Sequence, residues 1–523
     1  MNSSKPIHAT PHINNLIKNG AENLNNQEKL KLINIGLQEQ EMKLKTLDPF
    51  LDQTYETEHF KFHYTFDGTD AIEDMEYVTK MGHIFEQVWS FHIDTMGFDI
   101  PPLDANGFYE IRIENLPSFY FGYAVALGNE STCDSYIKMR NSYSSSQFSG
   151  QSEENNIKVT AVHEFFHAIQ FNYNCYAVTQ SLWFLEATAV WSEDELYDNI
   201  NDLYRYMPNW FSNPDKAISE SSNHMYGSFI FFQYIDEHLG GYETIRAFWE
   251  KSRELANTNR DVTNNAINSV LESFNSSFED AYLRMRIANR ILSDDVNALP
   301  YTYEEAESYE IAISPWGTSN GPQEQILTYR KGNTETILNP TIGLYESAYY
   351  NLNTNSPVTI ELINYEGQTH LSSIIKYLDK DQWLVRSGNK FNIDPEVGIE
   401  WISLIISAIG LDYNNWDWAI NIYDGYSEDF TSFTPYPNPS FGSPISMNLQ
   451  VITEQKIKTS IFDILGHEIW SSSTNFTNPS MVTLTWNGKN NNGHQVSNGL
   501  YFFLVEGNHQ KSKHKIIYLK MKN

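Results

Sequence analysis

The feature that most limits the fold is a change of hydrophobic period near residue 310. Across 155–290, apolar residues recur every three to four positions, which predicts helices over 157–171, 182–197, 226–238 and 242–255. Beyond 310, short alternating runs such as VTIELINY (357–364) and WAINIYDG (418–425), separated by Asn, Gly and Ser, read as an all-β module. The segment FTPYPNPSFGSP (433–444) punctuates the chain with prolines, and a second β module follows. Upstream of the helices, HFKFHYTF (59–66) and FYEIRI (108–113) read as strands and 72–96 as a helix. Residues 1–50 are polar, helical in pattern over 27–47, and suit a leader, a packing arm or a pro-segment. With 523 residues, three or four domains are expected, and no fixed-period repeat stands out. The expectation is a multidomain α+β chain with an α+β domain at 51–310 and β-sandwich modules at 311–432 and 433–523.

Charge divides the same way. The chain has 35 Lys and Arg against 66 Asp and Glu, a formal net charge of −31. From Thr431 onward there are eight Lys, no Arg and four acids, a net +4, which leaves −35 for the first 430 residues. Such an acidic body argues against a nucleic-acid partner, since phosphate contacts need clustered Lys and Arg. It would suit Ca²⁺, but no EF-hand-type loop is legible. The longest apolar stretch, 399–411, contains Glu400 and is shorter than the ~20 residues of a membrane span. The N-terminal residues lack the apolar core of a signal peptide, so the expectation is either a cytoplasmic protein or a version of the chain without its signal. The two cysteines, Cys133 and Cys175, either form one bridge in an extracytoplasmic protein or remain two buried thiols.

The segment VTAVHEFFHAIQ (159–170) carries the chemistry. His163, Glu164 and His167 stand in HExxH spacing, and on a helix positions i and i+4 share a face. Both imidazoles can then reach one metal while Glu164 flanks the open coordination position. A catalytic zinc takes three protein ligands and leaves one place for water. Glu186, in WFLEATAVW (183–191), is the natural third donor. The 18 residues between it and His167 suffice to end one helix, turn, and run a second antiparallel to the first. The set suits peptide-bond hydrolysis, with Glu164 as general base and then acid. Glu193 lies seven residues after Glu186 on the same helical face, with Asp194 beside it; either could hold the second nitrogen of a ligand histidine, or both could belong to an exposed acidic face.

HEFFH followed by WFLEATAVW resembles the gluzincin group of zinc metallopeptidases. The stretch from HFKFHYTFDGTDA (59–71) through VTAVHEFFHAIQFNY to the acids after Glu186 is similar to a family of secreted bacterial metalloproteinases. The resemblance implies a zincin-like domain with an N-terminal sheet and a helical active-site region. It also implies Zn²⁺ held by His163, His167 and Glu186, and Glu164 as catalytic acid/base. SSNHMYGSFIFF (221–232) offers His224 and Tyr226 as donors to an oxyanion. A Tyr followed by Gly at a helix start resembles the transition-state tyrosine of some gluzincins, which favours Tyr226; a Tyr merely packed at a helix N-terminus is the alternative. In zincins the strand before the HExxH helix lines the cleft, which points here to CDSYIKMRNS (133–142). No G-x-M-E-N motif is present, so an endopeptidase acting on protein or peptide is expected.

From Tyr436 the sequence runs YPNPSFGSPISMNL, IKTSIFDILGHEIW and LTWNGKNNNGHQVSNGLYFFLVEG and ends Lys-rich. Physically this is a small antiparallel, Ig-like sandwich with turns at NGKNNNG and SNG. It resembles the type A sorting domain of the type IX secretion system found in Bacteroidota. That implies export through the type IX machinery to the medium or the outer cell surface. The competing reading is a non-catalytic surface adhesion or binding protein on a metallopeptidase scaffold, with 311–432 as its working part.

Overall fold

The computed structural model describes residues 51–520 except 118–119, 129, 145–147, 149, 311–312, 315–316, 319–320, 339–342, 365–368, 378–382, 396–397, 410–417, 427–428 and 509. The expected helix at 27–47 lies outside the described residues. Two compact units result: one runs to Trp210 and takes in Ile218–Ala281 and 312–318, and the other takes Phe211–Ala217, Tyr282–Ile311 and the chain from Ser319 onward.

The first unit is built on a five-stranded sheet: β1 (Gln53–Glu56), β2 (Phe60–Tyr64), β3 (Tyr109–Glu114), β4 (Gly122–Leu127) and β5 (Asp134–Arg140), in the order β1-β2-β3-β5-β4. β2, β3 and β5 are parallel, and β1 and β4 run antiparallel at the two edges. In β2 the alternation FKFHY buries Phe60, Phe62 and Tyr64. Helix α1 (Met75–Trp89) starts where the Asp74 side chain accepts from the Tyr77 N–H, three residues inside the expected start, and passes into a π-helical turn at Ser90–Thr95.

Helix α2 (Glu153–Asn174) is capped by Ser152, whose hydroxyl accepts from Asn155 N–H, and has Glu153 and Glu154 in its first turn. It is buried on nearly every face and packs on α1, β4, β5 and α3 (Leu182–Tyr197). α3 and α5 (Tyr242–Leu255) have the expected bounds, while the helix expected over 226–238 is a short turn, His224–Gly227, followed by α4 (Phe229–His238). α6 (Thr263–Leu271) packs on α5. Cys133 and Cys175 form a disulfide, which ties the entry of β5 to the residue that ends α2 and settles the two readings left by the sequence.

The strand expected to border the cleft, 133–142, is corrected. β5 is interior, paired with β3 on one side and β4 on the other. β4 is the edge strand, because the chain enters β5 after β4 but inserts it inside. An ideal Cβ on Gly122, at the start of β4, would stand 2.7 Å from Thr160 Cγ2 and 3.3 Å from Glu164 Cγ, so β4 is the strand that borders Glu164.

The second unit holds two sandwiches. In the first, β6 (Glu324–Thr328), β7 (Glu335–Leu338), β8 (Ser347–Asn353), β9 (Val358–Asn364), β10 (Thr369–Tyr377), β11 (Trp383–Ser387), β12 (Lys390–Ile393), β13 (Ile399–Ala408) and β14 (Trp418–Asp424) form sheets β11-β10-β13-β8-β6 and β12-β9-β14-β7. Their inner faces share one core, including Tyr350, Leu371 and Leu404 from one sheet and Ile360 and Ile420 from the other. Residues 282–310, expected to belong with the preceding domain, fall in this unit. From the helix Phe278–Ile291, Ile287 and Ile291 pack with Tyr349, Ile374 and Ile405, and Tyr349 donates its hydroxyl to Arg286 O at 2.8 Å.

The second sandwich comprises β15 (Phe430–Ser432), β16 (Ser440–Phe441), β17 (Ile445–Val451), β18 (Gln455–Asp463), β19 (Glu468–Phe476), β20 (Ser480–Trp486), β21 (Gly499–Glu506) and β22 (Lys511–Leu519). Its sheets are β15-β17-β20 and β16-β22-β21-β18-β19, closed over Ile445, Met447, Trp486, Phe503 and Ile516. β15 lies ahead of the expected start at 433. No helix among the described residues is long and apolar enough to cross a membrane.

Candidate metal centre

His163 and His167, one helical turn apart on α2, meet Glu186 of α3. His163 Nε2 lies 3.2 Å from Glu186 Oε2, and His167 Nε2 lies 3.3 Å from Glu186 Oε1. None of the three, nor Glu164, has exposed surface. The contacts between helices run in opposite order: Gln170 meets Leu185 and Thr188, the two histidines meet Glu186, and His163 also meets Glu193. α2 and α3 are therefore antiparallel, as the 18-residue spacing implies.

The outer nitrogens set the protons. Gln170 Nε2 donates to Leu185 O and Thr188 Oγ1, both at 2.9 Å, so its oxygen must face His167 Nδ1, which donates to it at 2.7 Å. Thr188 in turn donates to Phe184 O. His163 Nδ1 lies 2.6 Å from Glu193 Oε1. An imidazole that is neutral and protonated on Nδ1 presents a bare Nε2 lone pair to the Glu186 carboxylate. His167 Nε2 and Glu186 Oε1 are buried without a hydrogen bond.

In that state the two Nε2 atoms and the Glu186 carboxylate form a donor set for one cation. Tetrahedral zinc with bonds of about 2.0–2.1 Å needs donor atoms about 3.4 Å apart, and the donors here stand at 3.2 and 3.3 Å. The residues present thus fit the ion. Of the two acids proposed to support the histidines, Glu193 makes the contact; Asp194 lies about 100° further round the helix.

Without a metal, a proton on His167 takes the cation's place. Burial opposes charge on Glu186, but His167 and His163 outweigh it and hold the carboxyl below its usual range. Burial likewise opposes charge on His167, and Glu186 more than compensates. Burial pushes Glu193 well up, helped by Asp202 and opposed by Arg205, which pairs with Asp202 at 3.2 Å. A cation at His163 would act in the same direction as Arg205.

Tyr226 is buried, stacked on Tyr206 at 5.1 Å between centroids, and its phenol is pushed well up by burial with Glu186 and Glu164 adding to the effect. It therefore stays a neutral O–H donor within the field of both carboxylates. His224 is stacked on Trp210 at 4.5 Å. Tyr109 and Tyr143, both raised mainly by burial, also feel Glu164. Sequence reasoning passed over Gln170, Thr188 and Gly122. Of these only Gln170 stands in a fixed relation to the motif, three residues after His167 on the same helical face, and that spacing alone is not distinctive.

Residues 72–320 match a protein family described as a family of unknown function, DUF6055, and residues 434–519 match the secretion system C-terminal sorting domain. No curated protein matches the chain. Among solved structures, PorZ of Porphyromonas gingivalis, a surface component of its type IX secretion system, is 14% identical over 19% of this chain and 14% of its own, with a TM-score of 0.14. Latent dimeric PorU of Porphyromonas gingivalis is 12% identical over 36% and 20%, with a TM-score of 0.17. A Parabacteroides merdae β-glucuronidase is 11% identical over 34% and 28%, with a TM-score of 0.16. The chain spans between 14% and 28% of the length of these three, and at such scores they carry no inference about its activity. Residues 434–519 are a type IX sorting domain, and the protein is secreted or held at the outer cell surface.

Proposed function

We propose that the first unit is a zincin-like zinc metalloendopeptidase that acts on proteins or peptides outside the cell. The observation that supports this most is the convergence of His163 Nε2, His167 Nε2 and Glu186 in a fully buried centre next to Glu164. The mixed sheet with its antiparallel edge strand β4 beside Glu164 also favours it.

His163, His167 and Glu186 would hold Zn²⁺, which when bound supplies a Lewis acid for the scissile carbonyl and acidifies water toward neutral pH. Glu164 takes the proton of the attacking water and delivers it to the departing amine. Glu193 and Gln170 keep each ligand imidazole protonated on Nδ1 and so aim Nε2 inward. Tyr226, kept protonated by burial, donates to the oxyanion that forms on the substrate. β4 sets one wall, and Gly122 keeps its backbone close to Glu164.

The test is metal analysis of purified protein together with cleavage of an unfolded protein substrate by wild type and Glu164→Gln. Bound zinc and cleavage that needs Glu164 support the proposal. Zinc without Glu164-dependent cleavage would sink it and leave a metal-stabilised binding protein.

A further inference from the structure

The turn between β18 and β19 spends its polar atoms on itself. Asp463 Oδ1 accepts from Leu465 N–H and His467 N–H, each at 2.9 Å, and Gly466 takes φ +84°. Between these two turn-forming residues stand Ile464 and Leu465, 66% and 75% exposed. They add nothing to the core beneath, and the turn needs only Asp463 and Gly466 for its shape.

Register places a third residue beside them. Asp463 pairs with Tyr501 on β21, Gly499 on β21 pairs with Tyr518 on β22, and Phe441 on β16 pairs with Leu519 on β22. Phe441, 56% exposed, therefore lies at the same end of the sheet as Ile464 and Leu465. Three strand spacings separate them, roughly 14 Å. This end is flanked by exposed lysines. Lys520 N–H is held by Asn498 Oδ1 at 2.8 Å, next to Gly499, and the turn carrying Lys489 sits on Tyr518 through Gly488.

Apolar side chains held out on a rigid frame mark a contact surface. The basic flank selects a partner of opposite charge, in a module that is +4 where the rest of the chain is −35. We propose that Phe441, Ile464 and Leu465 form the docking surface of the sorting domain, and that its occupant is a protein of the secretion machinery offering an apolar pocket with an acidic rim. The inference rests on residues 434–519 being a sorting domain.

The test is export of the full chain in a bacterium with a type IX system, measured by immunoblot of medium, cell surface and periplasm. Phe441→Ser/Ile464→Ser/Leu465→Ser should cut export about tenfold or more, the scale of removing interface anchors, with the protein retained in the periplasm. Thermal unfolding of the purified variant should match wild type. Lys489→Glu/Lys520→Glu should also reduce export, and Glu454→Gln, in the turn before the opposite end of β18, should not. Undiminished export of the triple variant overturns the proposal. So does binding of purified wild type to phosphatidylglycerol vesicles that the triple variant loses, since the surface would then read lipid. Removing residues 434–523 separates the two levels: if export survives that deletion, the sorting role itself fails, whereas loss of export on deletion but not in the triple variant condemns only the docking surface.

Discussion

The α2–α3 pair and the C-terminal sandwich break the usual segregation of polar and apolar side chains in opposite directions. In the helix pair, two histidines and three glutamates are almost entirely sealed from water. In the sandwich, the described lysines and carboxylates stay outside, as in Lys458–Glu468 at 2.7 Å, while Phe441, Ile464 and Leu465 stand in water. Buried charge is costly unless something neutralises it, and exposed apolar surface is tolerated where something covers it. On the proposals made above, the first departure marks a cation and its chemistry and the second a macromolecular partner.

The comparison is broken most severely at the ligands. Replacing Glu186 with Ala leaves two imidazoles facing an empty third position; bound metal and hydrolysis should both be lost, as read by metal analysis and substrate cleavage. Next in size is the disulfide. It closes a separation of 42 residues, for which chain entropy gives about 4 kcal/mol. Cys133→Ser/Cys175→Ser should lower the unfolding midpoint of the first unit by a matching amount, and a reductant should do the same to wild type.

Acid should reveal a third difference. Burial pushes His92 down to about 3, with Nδ1 held by Val88 O at 3.0 Å. Below the ordinary value of 6.5 the unfolded chain binds a proton that the folded chain refuses. His92 therefore leaves stability intact above 6.5 and erodes it as pH falls toward 3, by up to about 1.4 kcal/mol per pH unit. Denaturant melts of wild type and His92→Gln across this window should diverge in slope.

Gln170→Ala frees the Nδ1 proton of His167 and should weaken zinc affinity about 10- to 100-fold, measured by competition with a chelator. The smallest effect belongs to the sandwich. Lys458→Ala removes a half-exposed ion pair and should change stability by no more than about 1 kcal/mol. A large loss there would show that the two regions are less different than their burial suggests.

Much of the site was legible because its chemistry is local. HExxH spacing follows from one helical turn, and Glu186 and Glu193 are two turns apart on one face. Gln170 was passed over because an amide at i+3 is ordinary on any helix and becomes informative only when Leu185 and Thr188 are seen to orient it. The helices at 182–197 and 242–255 were legible to the residue. β4 was not, since chain order cannot reveal that β5 inserts between β3 and β4. The expected domain edge at 310 follows the change to a β pattern, whereas the sheet on which Ile287 and Ile291 pack, carrying Tyr349, Ile374 and Ile405, comes later in sequence. Ile464 and Leu465 look like strand residues in DILG, and only the turn built by Asp463 and Gly466 puts them in solvent.

The central claim, that the buried centre is catalytic and held by zinc, is tested most directly by purifying wild type and Glu164→Gln in parallel and measuring metal content and protein cleavage on the same samples. The account predicts about one zinc per chain in both, with cleavage lower by about 10²- to 10⁴-fold in Glu164→Gln alone. Wild type without metal, or Glu164→Gln cleaving at the wild-type rate, would contradict it.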